Sequence, residues 1–520
     1  MTHFTRSLIL GCSMLALTAC GPDEISSPGT GGNITINNPS PTPPATPTPT
    51  PTATVTAASG CPTISDPQGL TDEGTISGPT GTYRICAMPS RFNSSSTLPY
   101  IRGLVYRMPG RVDVGTDGGP TASAADTNVT LSIEPGAIVY ASGSSFLMVN
   151  RGNRINAAGT ATRPIIFTSR DNVLGLNSET SSGQWGGVVL AGRAPVTDCI
   201  APGATPGTTG CERQVEGAAQ PALFGGATPG DSSGTLRYVQ IRYSGFVLSG
   251  DSELQSLTTG GSGSGTRIDH IMSYNSSDDG VEFFGGRVNV KNLIVVGAED
   301  DSLDTDTGVK ANLQYVIAIQ RAGAGDTIIE ADSSNGLEAQ TPRQNTQISN
   351  AVFQHRNASS PQAIRLRGGT DYALFNTVVV ADSGVPCIRI DDAATIAAAN
   401  AGADEAGPPR FNSTALNCTT NFRDGSSGGA SAAQAQTLFN GGTNNNGTFI
   451  NTLAMLFING ANESGLTAFN PTGASTFFDN AAYVGAVNGA ADTWYQGWTC
   501  NSSAASFGSN TGNCATLPVY

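Results

Sequence analysis

The chain has 520 residues, of which 65 are glycine, and only 13% of its residues are charged. Glycine disfavours helix interiors and long surface helices carry many charged side chains, so this composition excludes a mainly helical protein and favours a β-rich one. The formal net charge of -14 excludes a nucleic-acid partner, because phosphate binding needs clustered Lys and Arg, and it suits cation binding better.

The first twenty residues, MTHFTRSLILGCSMLALTAC, have the order of an export signal: a positive Arg6 and then an apolar stretch too short to cross a bilayer. The letters LTAC resemble the lipobox of bacterial lipoproteins, which implies a signal peptide at 1–19 and a lipid on Cys20. Multiple acyl chains anchor stably, so we expect membrane attachment through this lipid. Gly21 favours the outer membrane, facing the cell surface or the periplasm; the alternative is an ordinary cleaved signal.

Two segments precede the repetitive part of the chain. Residues 20–60 carry the lipidated cysteine and a Pro/Thr-rich run with few large apolar residues, which predicts a disordered tether. Residues 61–127 contain two cysteines and short apolar runs, and we expect them to form a disulfide-stapled N-terminal cap.

Eight cysteines remain once Cys12 is removed and Cys20 carries lipid. An even number in an exported chain indicates disulfides, although eight cysteines allow 105 pairings. Neighbouring couples lie 25, 12, 31 and 14 residues apart. These spacings favour Cys61–Cys86, Cys199–Cys211, Cys387–Cys418 and Cys500–Cys514. With three histidines and no clustered Cys/His pattern, the sequence argues against a zinc site.

From about residue 128, β-rich runs of four to seven residues alternate with Gly, Asn and Asp. TRIDHIMSYNSSDDG aligns with RVNVKNLIVVGAEDDS at a shift of 22, and ISNAVFQ aligns with LFNTVVV at a shift of 26. Repeats of this length with two or three short strands are typical of a right-handed parallel β-helix, in which one repeat is one coil. An antiparallel sandwich is the alternative, but it has no reason to keep such a register.

The predicted β-helix spans 128–430, and 431–520 would supply the C-terminal coils and cap. Trp494, Tyr495 and Trp498 are expected to close that end, or else to offer a platform for sugar, whereas Trp185 is expected in the core. The predicted inward residues follow from their positions in the runs. They are Ile133, Ile138, Ile155, Ile166, Val188, Val239, Ile271, Leu293, Val316, Val352 and Val378.

Several phrases occur in one order between about 128 and 500: TLSIEPGAIVYASGSSFLMVNRGNRINAAGTATRPIIFTS, GQWGGVVLAGRAPV, GTLRYVQIRYSG, SSDDGVEFFGGRVNVKNLIVVGAEDDSLDTDTG and WYQGWTC. Together they resemble a family of exported bacterial β-helix proteins, often lipoproteins. The resemblance implies a pectate-lyase-like right-handed parallel β-helix and implies no shared reaction. Many relatives have a Trp between the aspartates where this chain has DTDTG, which weakens the case for a sugar-stacking aromatic there.

Acidic pairs recur at the one-coil shift, since Asp278 and Asp279 align with Asp300 and Asp301. Carboxylates stacked about 5 Å apart repel, so they need a cation, a raised pKa or different orientations. Ca²⁺ is the natural counter-ion because it accepts six to eight oxygens. The candidate ligands are Asp278, Asp279, Glu282, Asp300, Asp301, Asp304 and Asp306.

Two other interpretations of the acidic pairs stay open. Asp and Asn also occupy β-helix corners simply because their side chains stabilise turns. Alternatively, Asp279, Asp300 and Asp301 are general acid and base in a polysaccharide hydrolase or lyase, with Arg365 or Arg367 holding an acidic sugar.

The sequence therefore predicts an outer-membrane lipoprotein that binds a polysaccharide or nutrient, with Ca²⁺ as its expected cofactor and an outer-membrane receptor as a further expected partner. A polysaccharide-active enzyme and an adhesin or structural surface protein are the alternatives.

Overall fold

The computed structural model describes residues 54–520 except 219–220, 250–251, 334–335, 383 and 427–428. Over these residues two large sheets of mostly parallel strands wind around a common core, and we call them the long sheet and the short sheet. In spatial order the long sheet contains Thr71–Gly78, Gly81–Ala87, Leu104–Arg107, Ile138–Ala141, Ile165–Ser169, Gly234–Arg242, Arg267–Tyr274, Arg287–Val296, Lys310–Ile319, Asn345–His355, Asp371–Ala381 and Arg410–Asn417, with Ser96–Leu98, Thr130–Ile133 and Arg154–Ala158 as a side branch. The short sheet contains Arg91–Phe92, Val112–Val114, Leu147–Val149, Val188–Ala191, Leu257–Gly260, Val281–Phe284, Leu303–Asp306, Ile329–Ala331, Ile364–Leu366, Pro386–Ile390 and Thr420–Arg423.

The remaining elements are short. The α-helices are Arg170–Leu174, Ala432–Gly441 and Ala461–Ser464, and the 3₁₀ turns are Ala394–Ile396, Ala401–Ala403 and Pro471–Gly473. Three small strand pairs are Arg213–Gln214 with Leu223–Phe224, Val247–Ser249 with Ser252–Glu253, and Cys500–Asn501 with Gly512–Asn513.

The strand register confirms that one sequence repeat is one coil. Ile268 pairs with Val290 and Ile271 with Leu293, at the predicted shift of 22. Farther along, Ile348 pairs with Leu374 at the predicted shift of 26. The pairing is parallel in both cases, so the fold is a parallel β-helix and the sandwich alternative is excluded.

The long strands bend at one residue in each coil. Seven stacked residues there have φ between 49° and 62°: Tyr238, His270, Asn292, Tyr315, Asn350, Asn376 and Ser413. Asn tolerates this left-handed conformation better than β-branched residues do, which accounts for the recurring asparagine. The bend divides each long strand between two faces, and the short sheet provides the third.

All eleven predicted core residues are buried, but four of them lie on the outer side of the long sheet. Ile138 and Ile166 pack with the N-terminal hairpin, and Val352 and Val378 pack under the C-terminal segment. The prediction of an inward position was wrong for these four. Other segments cover the long sheet from outside, so apolar residues occupy both of its faces.

The solenoid begins earlier than the predicted boundary at 128. Strand Gly81–Ala87 already pairs in parallel with Leu104–Arg107, and Val112–Val114 pairs with Leu147–Val149. The predicted tether also overlaps the folded part, because Val55 is buried and bridges to Gly81. The expected cap at 61–127 is therefore the first coils of the solenoid, preceded by one antiparallel hairpin.

The helix Ala432–Gly441 closes the C-terminal end of the core. Ser431 accepts a hydrogen bond from the Gln434 backbone, and the Gln434 side chain accepts one from Ser431, which forms a capping box. On its inner side Phe439 contacts the rings of Phe411 and Phe422 at 5.8 and 5.5 Å. The helix thereby covers the last open coil.

The prediction that residues 431–520 form C-terminal coils and a cap was wrong beyond this helix. Residues 449–520, the C-terminal strap, run back along the outer face of the long sheet. They extend from Ala415, in its last strand, to Tyr100, whose ring contacts that of Tyr520. Trp498 packs edge-on against Tyr238 and His270 in the middle of the sheet and not at its end. Trp185 is buried in the core, as predicted.

The four predicted disulfides are present. The predicted signal peptide at 1–19, the lipidation site Cys20 and residues 21–53 of the tether lie outside the described residues. Among the residues described, no helix is long and apolar enough to cross a membrane.

The strap is held by a buried guanidinium, which gives a test of this packing. Arg242 donates to the carbonyls of Cys514 and Thr516 at 2.8 and 2.9 Å. We expect Arg242→Met to lower the free energy of unfolding by about 3 kcal/mol, since buried carbonyls lose their donors, and to expose the strap to limited proteolysis. The exposed Arg154 is the matched control, and Arg154→Met should change stability by less than about 0.5 kcal/mol. Equal effects of the two variants would contradict this role of Arg242.

Candidate functional site: an acidic band on the short sheet

One column of outward-facing side chains on the short sheet changes in charge along the solenoid. The column consists of one residue from each strand, and each residue is paired with its neighbours in the adjacent strands. In order they are Arg91, Asp113, Met148, Val189, Thr258, Glu282, Asp304, Glu330, Arg365, Arg389 and Arg423. The column therefore begins with an Arg–Asp pair, continues through three uncharged residues, and then changes to three acids and finally to three arginines.

The acidic part of this face is formed by the seven predicted ligand residues, which we call the acidic band. Its members are Asp278, Asp279, Glu282, Asp300, Asp301, Asp304 and Asp306. The two acidic pairs lie in turns that lead from the long sheet into short-sheet strands, and Glu282 is paired directly with Asp304. The register that aligns the core thus brings all seven carboxylates into adjacent coils.

The carboxylates approach one another closely enough to share cations. Oxygens lie within 4.8 Å of one another in three groups: Asp278, Asp279 and Asp300; Asp279, Glu282 and Asp304; and Asp300, Asp301 and Asp326. Two oxygens on one Ca²⁺ can be about 5 Å apart at most, given metal–oxygen distances of about 2.3–2.6 Å. Each group could hold a metal ion, and Asp279 belongs to two of them.

No member of the acidic band forms an ion pair with any residue that the structure describes. Glu282 is only 6% exposed, yet no donor in the described part of the chain bonds to its carboxylate. The Oδ1 atom of Asp304 is buried and also lacks a hydrogen-bond partner. Buried carboxylates are normally paired or bound to a metal, so these two side chains point to a missing ligand.

Hydrogen bonds hold two other members of the band, Asp279 and Asp301, in place. Asp279 accepts a hydrogen bond from the Asp301 amide at 2.9 Å, and Asp301 accepts two from Thr327 at 2.6 Å. These bonds connect three successive coils. Asp279 and Asp301 therefore do stabilise turns, as the alternative interpretation expects. These hydrogen bonds use only some of their carboxylate oxygens.

Sequence reasoning missed Asp326. It stacks on Asp300 because the next coil carries a shift of 26, set by the pairing of Leu303 with Ile329. An alignment of DTIIEA with DDSLDT would have found it, but the insertion hides the register and leaves a single acid where a pair was expected.

Burial and mutual repulsion change the protonation of the band. Burial raises the pKa of Asp278 to about 7, with Asp300 and Glu253 adding to the effect, and burial raises that of Asp306 to about 7. Burial also raises the pKa of Asp279, Glu282 and Asp304 well above the usual range, and neighbouring carboxylates reinforce it. Without a cation the band is therefore partly protonated near neutral pH.

A disulfide-stapled insert, residues 192–226, bounds the band on its N-terminal side. Its residues Val196, Cys211 and Phe224 pack on the outward Met148, Val189 and Phe284 of the short sheet. The Phe224 and Phe284 rings lie 6.0 Å apart. A ligand on the acidic band therefore meets a wall at this coil.

The candidate catalytic arginines lie on the other side and are ion-paired. Arg365 contacts Glu330 and Asp391 at 2.9 and 2.8 Å, and Arg367 contacts Glu330 and Asp332 at 2.9 and 2.8 Å. Arg365 stands two strands beyond Asp304 in the column, about 10 Å away. Both guanidiniums thus neutralise the last acids of the column.

The candidate catalytic aspartates differ in access. Asp300 is exposed, while Asp279 and Asp301 are only 5% and 2% exposed and are joined through a backbone hydrogen bond. Asp300 is therefore the member of this trio best placed to touch a ligand from solvent. Asp279 and Asp301 are placed to act through a bound ion or to stabilise the turn.

The raised pKa values predict a pH-dependent stability in chelator-containing buffer. Asp278 and Asp306 keep their protons in the folded state up to a pKa of about 7, against 3.8 for the ordinary group. The protonated carboxyls therefore contribute stability that is fully present below their pKa in the unfolded chain. This contribution is lost as the pH rises through their pKa in the folded protein. We expect the free energy of unfolding, measured by urea titration, to fall between about pH 4 and pH 7. The double variant Asp278→Asn/Asp306→Asn should flatten this slope, and a rise over the same window would contradict the assignment.

One of three comparisons with known proteins agrees with this architecture. The family model described as a pectate-lyase-like β-helix domain matches residues 120–499. A search of curated proteins gives no significant match. Among solved structures, the chain is similar to an Acinetobacter baumannii phage tailspike protein at 11% identity and a TM-score of 0.20, over 62% of this chain and half (50%) of the tailspike chain. That likeness is too weak to carry an argument. The family match covers most of the chain and agrees with the observed parallel coils, and the protein belongs to the pectate-lyase-like β-helix family.

Proposed function

We propose that the protein is an outer-membrane-anchored lipoprotein whose acidic band holds divalent cations, with Ca²⁺ the best candidate, and through them binds a polysaccharide or similar polymeric nutrient. The observation that carries this proposal is the set of seven carboxylates without an ion-pair partner in the described residues, with Glu282 buried and unbonded.

The chemistry of the donors favours Ca²⁺. The groups consist of carboxylate oxygens, without histidine or cysteine, and hard oxygen ligands suit Ca²⁺ or Mg²⁺ over transition metals. Mg²⁺ requires a near-ideal octahedron, whereas Ca²⁺ accepts irregular sets of six to eight oxygens. Side chains on neighbouring coils, one strand spacing apart, offer an irregular set of oxygen ligands.

The cation sites leave room for a ligand. Three carboxylates supply three to six oxygens, so coordination positions remain for water or for oxygens of a bound molecule. Asp300 is exposed and Asp278 is partly exposed, so the outer side of their group opens to solvent. Hydroxyl and carboxylate oxygens of a polysaccharide could complete the coordination there.

The shape of the face suits an extended ligand that is blocked on one side. The insert closes the N-terminal side of the band, and beyond the band the column continues over Glu330 to the paired arginines. A polymer would lie from the wall of the insert toward the arginines.

Cation binding can be tested with isosteric variants. We expect Ca²⁺ to raise the melting temperature of the wild type and the chelated form to melt lower. Glu282→Gln should not lower the melting temperature in chelator, because Gln cannot carry the charge that burial and neighbouring carboxylates disfavour, and it should abolish most of the rise caused by Ca²⁺. The exposed Asp382→Asn is the control and should retain the full rise. A misfolded variant would melt lower under both conditions, and an unchanged Ca²⁺ effect in Glu282→Gln would overturn the cation site.

Polymer binding is tested with an array of acidic and neutral polysaccharides, probed for both binding and cleavage in Ca²⁺ and in chelator. The proposal expects binding that needs Ca²⁺, is lost in Asp300→Asn and persists in Asp382→Asn. Cleavage that is lost in Asp300→Asn would favour a hydrolase or lyase instead. Absence of binding to every polymer would favour an adhesin or structural protein.

Membrane anchoring rests on the LTAC motif and Cys20, and a matched cysteine pair tests it. Cys20→Ala should abolish incorporation of labelled fatty acid and release the protein from the membrane fraction, because a single residue carries the proposed acyl chains. Cys12→Ala, within the proposed signal, should leave both unchanged. Labelled, membrane-bound Cys20→Ala would contradict the proposal.

A further inference from the structure

A cavity opens on the same face of the short sheet as the acidic band, on the other side of the insert. Its volume is about 560 Å³, which lies in the range of small-molecule sites, about 300–1,000 Å³. Its lining includes Arg91, Arg111, Asp113, Phe146, Ala218 and Leu248. The floor comes from the first short-sheet strands and the roof from the insert and the hairpin at Val247–Ser249.

Two guanidiniums and one carboxylate give the cavity a positive balance in a protein of formal net charge -14. Asp113 accepts hydrogen bonds at 2.9 Å from Arg111 and from Asn150. Arg111 also reaches across to the Pro221 carbonyl at 3.0 Å, which ties the insert to the sheet. The charge of Asp113 is thus matched by Arg111.

Arg91 is left with most of its donors available. Its one ion pair within the described residues is a contact of 3.4 Å to Asp113, and its side chain is 44% exposed. A planar guanidinium in this state is suited to a two-point contact with a carboxylate. A polyanion such as phosphate fits less well, because only one cation is uncompensated and Asp113 is adjacent.

The rest of the wall combines apolar side chains with two serines, Ser90 and Ser144. Phe146 lies beneath the Arg111 guanidinium at 5.7 Å, and Ala218 and Leu248 face the cavity from above. Apolar side chains beside a few placed polar groups are typical of pockets that orient a small amphipathic ligand.

We propose that this cavity binds a small monocarboxylate with an apolar body, whose carboxylate pairs with Arg91 and whose body lies between Phe146 and Leu248. The site is separate from the acidic band. Asp113 and Glu282 are four strands apart in the column, about 19 Å, with the insert between them. Binding here needs no cation and does not rest on the polysaccharide proposal.

Titration calorimetry of the full chain with phenylacetate tests the proposal. We expect saturable binding, equal in Ca²⁺ and in chelator, and no binding of the uncharged phenylacetamide. Arg91→Gln should weaken phenylacetate binding about tenfold or more, since the charge-assisted contact is lost. Leu248→Asn should also weaken it by removing apolar contact, and the remote Arg154→Gln should not.

Each result bears on the site. Absence of phenylacetate binding to the wild type, unchanged affinity in Arg91→Gln with a preserved melting temperature, or equal binding of phenylacetamide would overturn the proposal. Loss of binding on chelation, or in Glu282→Gln, would place the ligand on the acidic band and also overturn it. Inorganic phosphate as a competitor at equal affinity would show a general anion site and not a carboxylate pocket.

Discussion

Every feature of this molecule depends on the stacking of equivalent positions one strand spacing, about 4.8 Å, apart. In a parallel β-helix, any residue type that recurs at the coil length becomes a column. Leu293 pairs with Val316 inside the coil, and the same register pairs Glu282 with Asp304 outside it. The inner columns exclude water and stabilise the solenoid. The outer columns concentrate whatever chemistry the repeat carries.

For carboxylates, this stacking has an energetic cost. At one strand spacing, two like charges repel by about 3 kcal/mol at an effective dielectric constant of 20. The fold answers in two ways along one column. Arg365 and Arg367 neutralise Glu330 and Asp332, whereas Glu282 and Asp304 have no ion-pair partner among the residues that the structure describes. The repulsion between Glu282 and Asp304 is relieved partly by protonation, and a bound divalent cation would relieve it fully.

Three added segments decide which parts of the solenoid meet solvent. The C-terminal strap covers apolar side chains on the outer long sheet and is fixed by the buried Arg242. The helix Ala432–Gly441 closes the end of the core. The insert at 192–226 divides the outer short sheet into a cavity on one side and the acidic band on the other. The outer face that stays open is thus mainly that of the short sheet, whereas the outer face of the long sheet is covered by packing.

The repeat made much of this predictable. The shift of 22 between the two DD pairs implied one coil per repeat, and the cysteine spacings favoured the four disulfides that form. Two features limited this prediction. Asp326 was missed because an insertion makes its coil longer. Ile138 and Val352 were placed inside because an apolar run does not reveal which of two covered faces of the sheet a residue lies on.

The sequence by itself determined the coil, the core ladders and the recurrence of acids at one corner, because these follow from a local repeat combined with a fixed strand spacing. Only the tertiary structure decided that the last seventy residues return along the long sheet, that Arg365 and Arg367 are engaged by Glu330, and that a cavity forms beside Arg91. These outcomes depend on contacts between segments distant in the chain, and no local pattern records which distant surfaces will meet.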